Sequence, residues 1–255
     1  MNEESFDTWV PAEYLRDYYQ RVEPDEVHAI RFYVEASRGA QAGPMLCFGC
    51  GPTLHHVFSC APYTKALYLA DYLPENLAEI ERWRQRQPGA HDWRPFVRYT
   101  LSCELGRDPS DGEVAEREER TRASIAGLVH ADATLADPLG SDYRGFFQTV
   151  LSPFCADSIT ASRDDWFRYS RNIATLVKPG GRLLTTALAR CHGYKVGDRF
   201  FPSPNVDVAD MRGVLLEDFV AASVQVEARA VPEHVGQGYE GILLASADKA
   251  SNSQG

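Results

Sequence analysis

Two stretches decide how this chain folds: Met45-Leu-Cys-Phe-Gly-Cys-Gly-Pro-Thr53, and Ala66-Leu-Tyr-Leu-Ala-Asp71. Each is a short apolar run with an abrupt polar end. The first run stops at two glycines one residue apart. The second stops at an acid twenty residues after Gly51. Glycine at a strand end permits positive φ and lets a ligand approach the backbone closely. A carboxylate at the end of the next strand is placed to accept hydrogen bonds from ribose hydroxyls.

Working outward, the same rhythm continues. Apolar runs at Ile125–Ala131, Phe146–Ser152, Arg182–Leu188, Ala221–Ala228 and Gly241–Ser246 complete seven expected strands. Helical periodicity falls at 12–22, 24–38, 74–87, 164–177 and 207–219. Pro24 suits a first helical turn, and Gly39 a helix end. Lys178-Pro-Gly-Gly181 reads as a tight reversal between a helix and a strand. Ser110-Asp-Gly-Glu113 has the form of a capping box opening a surface helix. Alternation of this kind predicts an α/β, Rossmann-like architecture: a seven-stranded, mostly parallel sheet with helices on both faces. The expected organisation is one domain over 1–255. It comprises an N-terminal helical lid (1–40), the core (41–248) and a frayed tail (249–255).

Composition narrows the function classes. The chain has 255 residues, 44% of them hydrophobic, with 26 Lys+Arg against 36 Asp+Glu and a net charge of −10. That balance argues against a nucleic-acid or anionic-membrane partner, which needs clustered cations. Residues 104–120 alone hold seven acids and three arginines, a solvated surface stretch. No apolar run approaches a membrane-spanning length, and Met1–Trp9 has no basic and apolar leader pattern. Six cysteines (47, 50, 60, 103, 155, 191) are then expected to be reduced thiols of a cytoplasmic protein. Cys47-x-x-Cys50 has no second CxxC or spaced histidine pair. His55 and His56 are adjacent and would point apart on a helix or strand. No metal site is expected.

In open α/β sheets the ligand lies beyond the carboxyl ends of the strands. Gly49, Gly51, Asp71, Asp132 and the loop after Ser152 all fall there. A dinucleotide fingerprint wants a third glycine, and Leu54 stands in its place. A neutral loop bearing Thr53 suits the zwitterionic tail of S-adenosylmethionine instead. Asp132 is placed to accept from an adenine amino group.

Together these features resemble the nicotinamide, phenylethanolamine and thioether N-methyltransferase family of class I S-adenosylmethionine-dependent methyltransferases. The resemblance spans about residues 9–248. Its motifs are Tyr14-Leu-Arg-Asp-Tyr-Tyr19, Gly49-Cys-Gly-Pro-Thr53, Asp71-Tyr-Leu-Pro-Glu-Asn76, Trp83 with Asp92-Trp93-Arg-Pro95, Asp132 before Pro138-Leu-Gly140, Leu151-Ser152, and Leu176-Val-Lys-Pro-Gly-Gly181. It implies a cofactor site of Tyr14, Tyr19, Gly49, Gly51, Thr53, Asp71, Tyr72, Asn76, Asp132, Ala133 and Ser152. S-adenosyl-L-methionine would be the donor and S-adenosyl-L-homocysteine the product. Tyr18 and Tyr19 would belong to the lid.

The acceptor side departs from the family. Thr186 stands where the best-known members carry an acid, His55 replaces an aromatic, and Cys47-Phe48 replaces an acidic entry to Gly49. The expected catalytic set is Tyr18, Asp157, Thr186 and Tyr194, with Asp157 pairing with an acceptor amine or serving as a helix cap. Ser203 and Glu240 lie nearby in the sequence reading. The leading function is methyl transfer to a small molecule, first an amine nitrogen, by a monomer or weak homo-oligomer. Two others are carried: cyclisation of S-adenosylmethionine to azetidine-2-carboxylate with release of methylthioadenosine, and a non-catalytic binding module.

Overall fold

The structure is a computed structural model; it describes residue 6 and residues 9–251. Its chain order is α1 (Pro11–Tyr18), α2 (Pro24–Ser37), β1 (Met45–Phe48), β2 (Leu67–Asp71), α3 (Pro74–Arg84), α4 (Arg94–Leu105), α5 (Asp111–Ser124) and β3 (Ile125–His130). There follow β4 (Phe147–Pro153), α6 (Arg163–Ala174), β5 (Val177–Ala189), β6 (Gly193–Val196), β7 (Arg199–Pro202), α7 (Val208–Asp218), β8 (Gln225–Ala230) and β9 (Gly241–Asp248).

Seven strands form one sheet in the order β3-β2-β1-β4-β5-β9-β8. The pairs β1–β2, β1–β4, β2–β3 and β4–β5 are parallel, while β5–β9 and β8–β9 are antiparallel. Strand order reverses between β1 and β4, so a crevice opens above their carboxyl ends. Strand alternation sends side chains to two cores. Met45 and Cys47 join one with Ile30, Trp83, Phe96 and Val114 from α2–α5. Leu46 and Phe48 join the other with Trp166, Ile173, Met211 and Leu215 from α6 and α7.

Several elements differ from the sequence expectation. The first helix stops at Tyr18, not 22, and a break precedes Pro24. Helix α4 was not anticipated; it carries Pro95 in its first turn and ends at Gly106 with φ 68°. The sixth helix ends at Ala174, and Lys178-Pro-Gly-Gly181 is not the reversal after it. The β4–β5 register jumps from Phe147↔Val177 to Thr149↔Arg182, so these four residues bulge from β5. Strand β8 begins at Gln225, after a 3-10 turn over Ala221–Ser223. The connection 189–206 carries the unforeseen hairpin β6–β7. The Ser110–Glu113 capping box is formed and opens α5. Residues 252–255 of the expected tail lie outside the described residues. Among the described residues no helix is long and apolar enough to cross a membrane.

The hairpin and the N-terminal segment form a joint cover. The Gly197 N–H donates to Asp17 Oδ2 at 2.8 Å, and Arg199 pairs with Glu13 at 2.6 Å. Tyr18 Oη donates to the Lys195 carbonyl, and Phe6 stacks on Phe201 with centroids 5.2 Å apart.

Trp166 is 1% exposed between α6 and the sheet. Removing it leaves a cavity the surrounding helices can only partly close. Trp166→Ala is expected to cost about 3–5 kcal/mol, read as a lower urea midpoint at unchanged slope.

Candidate active site

A cavity of about 380 Å³ lies above the strand ends. Eleven of the sequence-expected residues line it: Tyr14, Tyr19, Gly49, Gly51, Thr53, Asp71, Tyr72, Asn76, Asp132, Ala133 and Tyr194. That size and its apolar wall with few convergent polar groups suit a small-molecule site.

Asp71 organises the floor. Its Oδ2 accepts from the Gly51 N–H at 2.7 Å. Its Oδ1 accepts from the Leu73 N–H at 3.0 Å and from Asn76 Nδ2 at 2.9 Å. Burial pushes its carboxyl above the ordinary range, and these three donors oppose that shift. An ionised carboxylate has about four acceptor positions, so three donors leave room on Oδ2. Asn76 Oδ1 in turn accepts from the Trp9 indole N–H at 2.8 Å. One chain of hydrogen bonds therefore joins the glycine turn, the β2 end and the N-terminal cover.

The glycines are needed where they stand. Gly49 has φ 64°, and a Cβ there would lie 2.2 Å from Cys155 Sγ. Gly51 has φ 57°, and a Cβ there would meet only Thr53 Cγ2, at 4.0 Å. Thr53 closes the turn by donating to the Cys50 carbonyl at 2.7 Å. Asp132 Oδ1 accepts from the Thr134 N–H at 2.9 Å and hydroxyl at 2.6 Å, an Asx turn that fixes its position. The Ala133 carbonyl accepts from Asn172 at 2.9 Å. Tyr72 is 57% exposed at the rim.

Aromatic rings close the other side. The Tyr14 and Tyr19 hydroxyls lie 3.1 Å apart. Burial raises both phenols above their usual range, so they are neutral donors. Tyr194 donates to the Ser158 carbonyl at 3.3 Å and faces the cavity. Phe154, at φ 47°, presents its ring from the end of β4.

Four expected site residues do not reach this cavity. Ser152, Asp157 and Thr186 surround a separate void of about 20 Å³, room for roughly one water. Asp157 Oδ2 accepts from the Leu188 N–H at 2.8 Å, tying the β4 loop to β5 rather than facing an acceptor. Its cap-like turn, Ala156–Ser158, is a 3-10 turn. The Thr186 hydroxyl accepts from the Phe154 N–H at 3.2 Å, so it holds that ring in place. Tyr18 spends its hydroxyl on the β6 backbone, as a tie of the cover. Ser203 is buried, and Glu240 is exposed.

The sequence reading missed a polar cluster behind the aromatic wall. His55 and His56 lie in turns, not on a helix or strand, so the expectation that they diverge does not apply; their rings are 3.6 Å apart. With Glu26 of α2 they place three ligand-type atoms within 4.8 Å of one another, a group able to hold a metal ion. His56 also lines the cavity, as do Phe6 and Trp9. Cys47 and Cys50 are buried, unbridged thiols whose pKa burial drives well up.

The doubly wound sheet, the glycine turn and the strand-end acid define a class I S-adenosylmethionine-dependent methyltransferase. The donor set fits that cofactor: open backbone at Gly51, an anchored carboxylate at Asp71, and no cation placed for a pyrophosphate among the lining residues. The profile of the NNMT/PNMT/TEMT family matches residues 1–250, and the chain belongs to that family. It is 29% identical over 217 residues to the indolethylamine N-methyltransferase of Oryctolagus cuniculus, covering 82% of this chain and 81% of that one. It is 29% identical over 201 residues to the nicotinamide N-methyltransferase of Homo sapiens, covering 76% and 75%. Among solved structures, the N-methyltransferase NodS of Bradyrhizobium japonicum WM9 with S-adenosyl-L-homocysteine shares the fold. Its TM-score is 0.53 at 15% identity, over 93% of this chain and 95% of that one.

Two substitutions test the geometry. Gly49→Ala combines a positive φ with a clash against the buried Cys155 side chain and is expected to destabilise by about 2 kcal/mol or more, measured by thermal and urea melts. Asp157 tests pH dependence. Burial pushes its carboxyl up to about 7 from an ordinary 3.8. The folded state then keeps a proton that the unfolded state has lost, so stability falls as pH rises from about 4 to 7 and levels off above. Melts of Asp157→Asn across that range should lack this component; parallel profiles for the two proteins would refute it.

Proposed function

We propose that this enzyme methylates an amine nitrogen of a small molecule. The observation that carries the reading is a single cavity with a nucleoside-type floor and an aromatic cover. The relatives' names, indolethylamine and nicotinamide N-methyltransferase, support nitrogen as the acceptor atom.

The residue roles follow from position. Asp71, with Asn76 beside it, receives the ribose hydroxyls on its remaining acceptor positions. Asp132 and Ala133 bracket adenine, Oδ2 of Asp132 being outside the Asx turn. The glycine turn passes beneath the methionine part, and Tyr14, Tyr19 and Thr53 hold its polar groups. When bound, S-adenosyl-L-methionine supplies a methyl group on a sulfonium. The chain's own contribution is placement and exclusion of water. Trp9, Tyr14 and Tyr19 pack together, with Trp9 and Tyr14 centroids 4.9 Å apart, and close the site under the β6–β7 hairpin. Holding a nitrogen in line with a methyl carbon converts an encounter into a unimolecular step. An aromatic, dry wall suits a sulfonium and strengthens each remaining polar contact. The six unbridged cysteines agree with a reducing cytoplasmic setting. A monomer or weak homo-oligomer, with no nucleic-acid or membrane partner, completes the proposal.

Product analysis tests it. With S-adenosyl-L-methionine and a panel of amines, S-adenosyl-L-homocysteine is expected only when an accepted amine is present. Methylthioadenosine formed from the donor alone would instead show intramolecular cyclisation.

A further inference from the structure

Strand β8 ends the sheet, and among the described residues it pairs only with β9. Five of its six residues, Gln225, Glu227, Ala228, Arg229 and Ala230, are exposed. An open edge is a template for another strand, and folds usually guard it with a bulge, a proline, lysines or a covering element. The other edge, β3, is guarded: its register against β2 breaks at Leu67/Tyr68, and α3 and α5 pack on it. Strand β8 keeps an unbroken register with β9 over Gln225–Ala230, and it holds no proline or lysine. On the face toward α2 and α4, a groove of about 1250 Å³ leaves it uncovered.

The backbone bonds of β8 alternate between its two sides. The Val231 N–H donates to the Glu240 carbonyl at 2.8 Å, and these two residues lie opposite each other where the β8–β9 register continues past Ala230↔Gly241. In an antiparallel ladder the bonded residues recur at every second position. Gln225, Glu227 and Arg229 therefore also spend their N–H and C=O on β9. The Arg229 carbonyl accordingly lies 2.5 Å from where a Cβ on Gly241 would stand. The backbone groups of Val226, Ala228 and Ala230 point outward, away from β9.

Side chains alternate as well. Glu227 and Arg229 share the groove face and pair with each other at 2.8 Å, each about half exposed. Val226, Ala228 and Ala230 share the opposite face, where Val226 packs on the core beneath α7. The small side chains there leave the edge sterically open. A run of like charges would repel a second strand. An acid and a base two residues apart attract one laid antiparallel, provided that Ala228 lies on the two-fold axis. Glu227 then stands opposite the second copy's Arg229, and Arg229 opposite its Glu227. The same axis sets Ala228 against Ala228 and Val226 against Ala230, the residues whose backbone groups point outward. An axis at Glu227 or at Arg229 would set like charges face to face, so charge selects Ala228.

We propose that β8 is a homodimer interface: two copies pair their β8 strands antiparallel about a two-fold axis at Ala228, joining their sheets into one. Val226 and Ala230 exchange N–H···O bonds with the second copy's Ala230 and Val226, and Ala228 with the second copy's Ala228. Glu227 and Arg229 give up the pair within one strand for two pairs across the axis. A strand edge alone falls short of the area of an obligate interface, so monomer and dimer exchange with protein concentration. The active-site cavity lies above the strand ends, and no β8 residue lines it. The dimer therefore leaves both sites open, and the inference stands apart from the methyl-transfer reading.

Sedimentation velocity on the whole chain, from micromolar to millimolar, reads the equilibrium. The wild type is expected to pass from monomer to dimer across that range. Glu227→Arg and Arg229→Glu each set like charges opposite one another and should weaken the dimer at least tenfold. The double variant Glu227→Arg/Arg229→Glu restores opposite pairs and should regain it. Mixed in equal amounts, the two single variants should form a heterodimer, although neither pairs with itself. Ala228→Pro removes an outward N–H and leaves the β9 ladder whole; it should stay monomeric. Melting temperatures of the charge variants should match the wild type, which separates lost pairing from lost folding. A wild type that is monomeric throughout the range, or a dimer that the charge reversals leave unchanged, overturns the proposal.

Discussion

The Asp71 carboxylate is the constraint on which the rest of the site depends. It sits at the end of β2 and draws in the Gly51 N–H, the Leu73 N–H and the Asn76 amide. Those donors come from the turn after β1 and from the entry to α3. Without an acceptor there, two part-buried N–H groups would lose their partner and the turn its reason to stay tight. Asn76 then passes the constraint to Trp9. The N-terminal cover is thus anchored to the same acid that the ribose is proposed to engage, so cover and floor are parts of one hydrogen-bonded unit.

Around this unit the molecule divides its polar groups unevenly. The donor side is almost fully matched: Asp132 is turned in on Thr134, and Thr53 on Cys50. The far side holds a matched pair, Asp25 with His234 and Tyr239, next to the unmatched Glu26, His55 and His56. A fold that buries polar atoms normally completes them, and this trio departs from that rule.

The sequence was legible where the pieces of structure are local. Strand alternation, the two glycines and the acid at fixed offset are contained within short windows, and each kept its expected place. Lys178-Pro-Gly-Gly181 misled because a proline-glycine turn and a strand bulge share the same residues, and only the register of β4 against β5 separates them. Asp157 and Thr186 were misplaced for a related reason. Asp157 sits in the 3-10 turn after β4 and Thr186 within β5, and their side chains turned to bonds with Leu188 and Phe154 rather than to the cavity.

The sequence by itself determined the class of sheet, the glycine turn with its strand-end acid, and the family, because strand-end residues are positioned by a repeat the chain carries locally. Only the tertiary structure decided the other half of the site. Asp25 and Tyr239 are 214 residues apart and meet because β9 runs antiparallel beside β5 while α2 packs against that sheet. His55 and His56 converge on Glu26 because their segment is turns, free of the helix or strand period that would have driven adjacent rings apart. No spacing in the chain encodes such a meeting; packing of distant elements does.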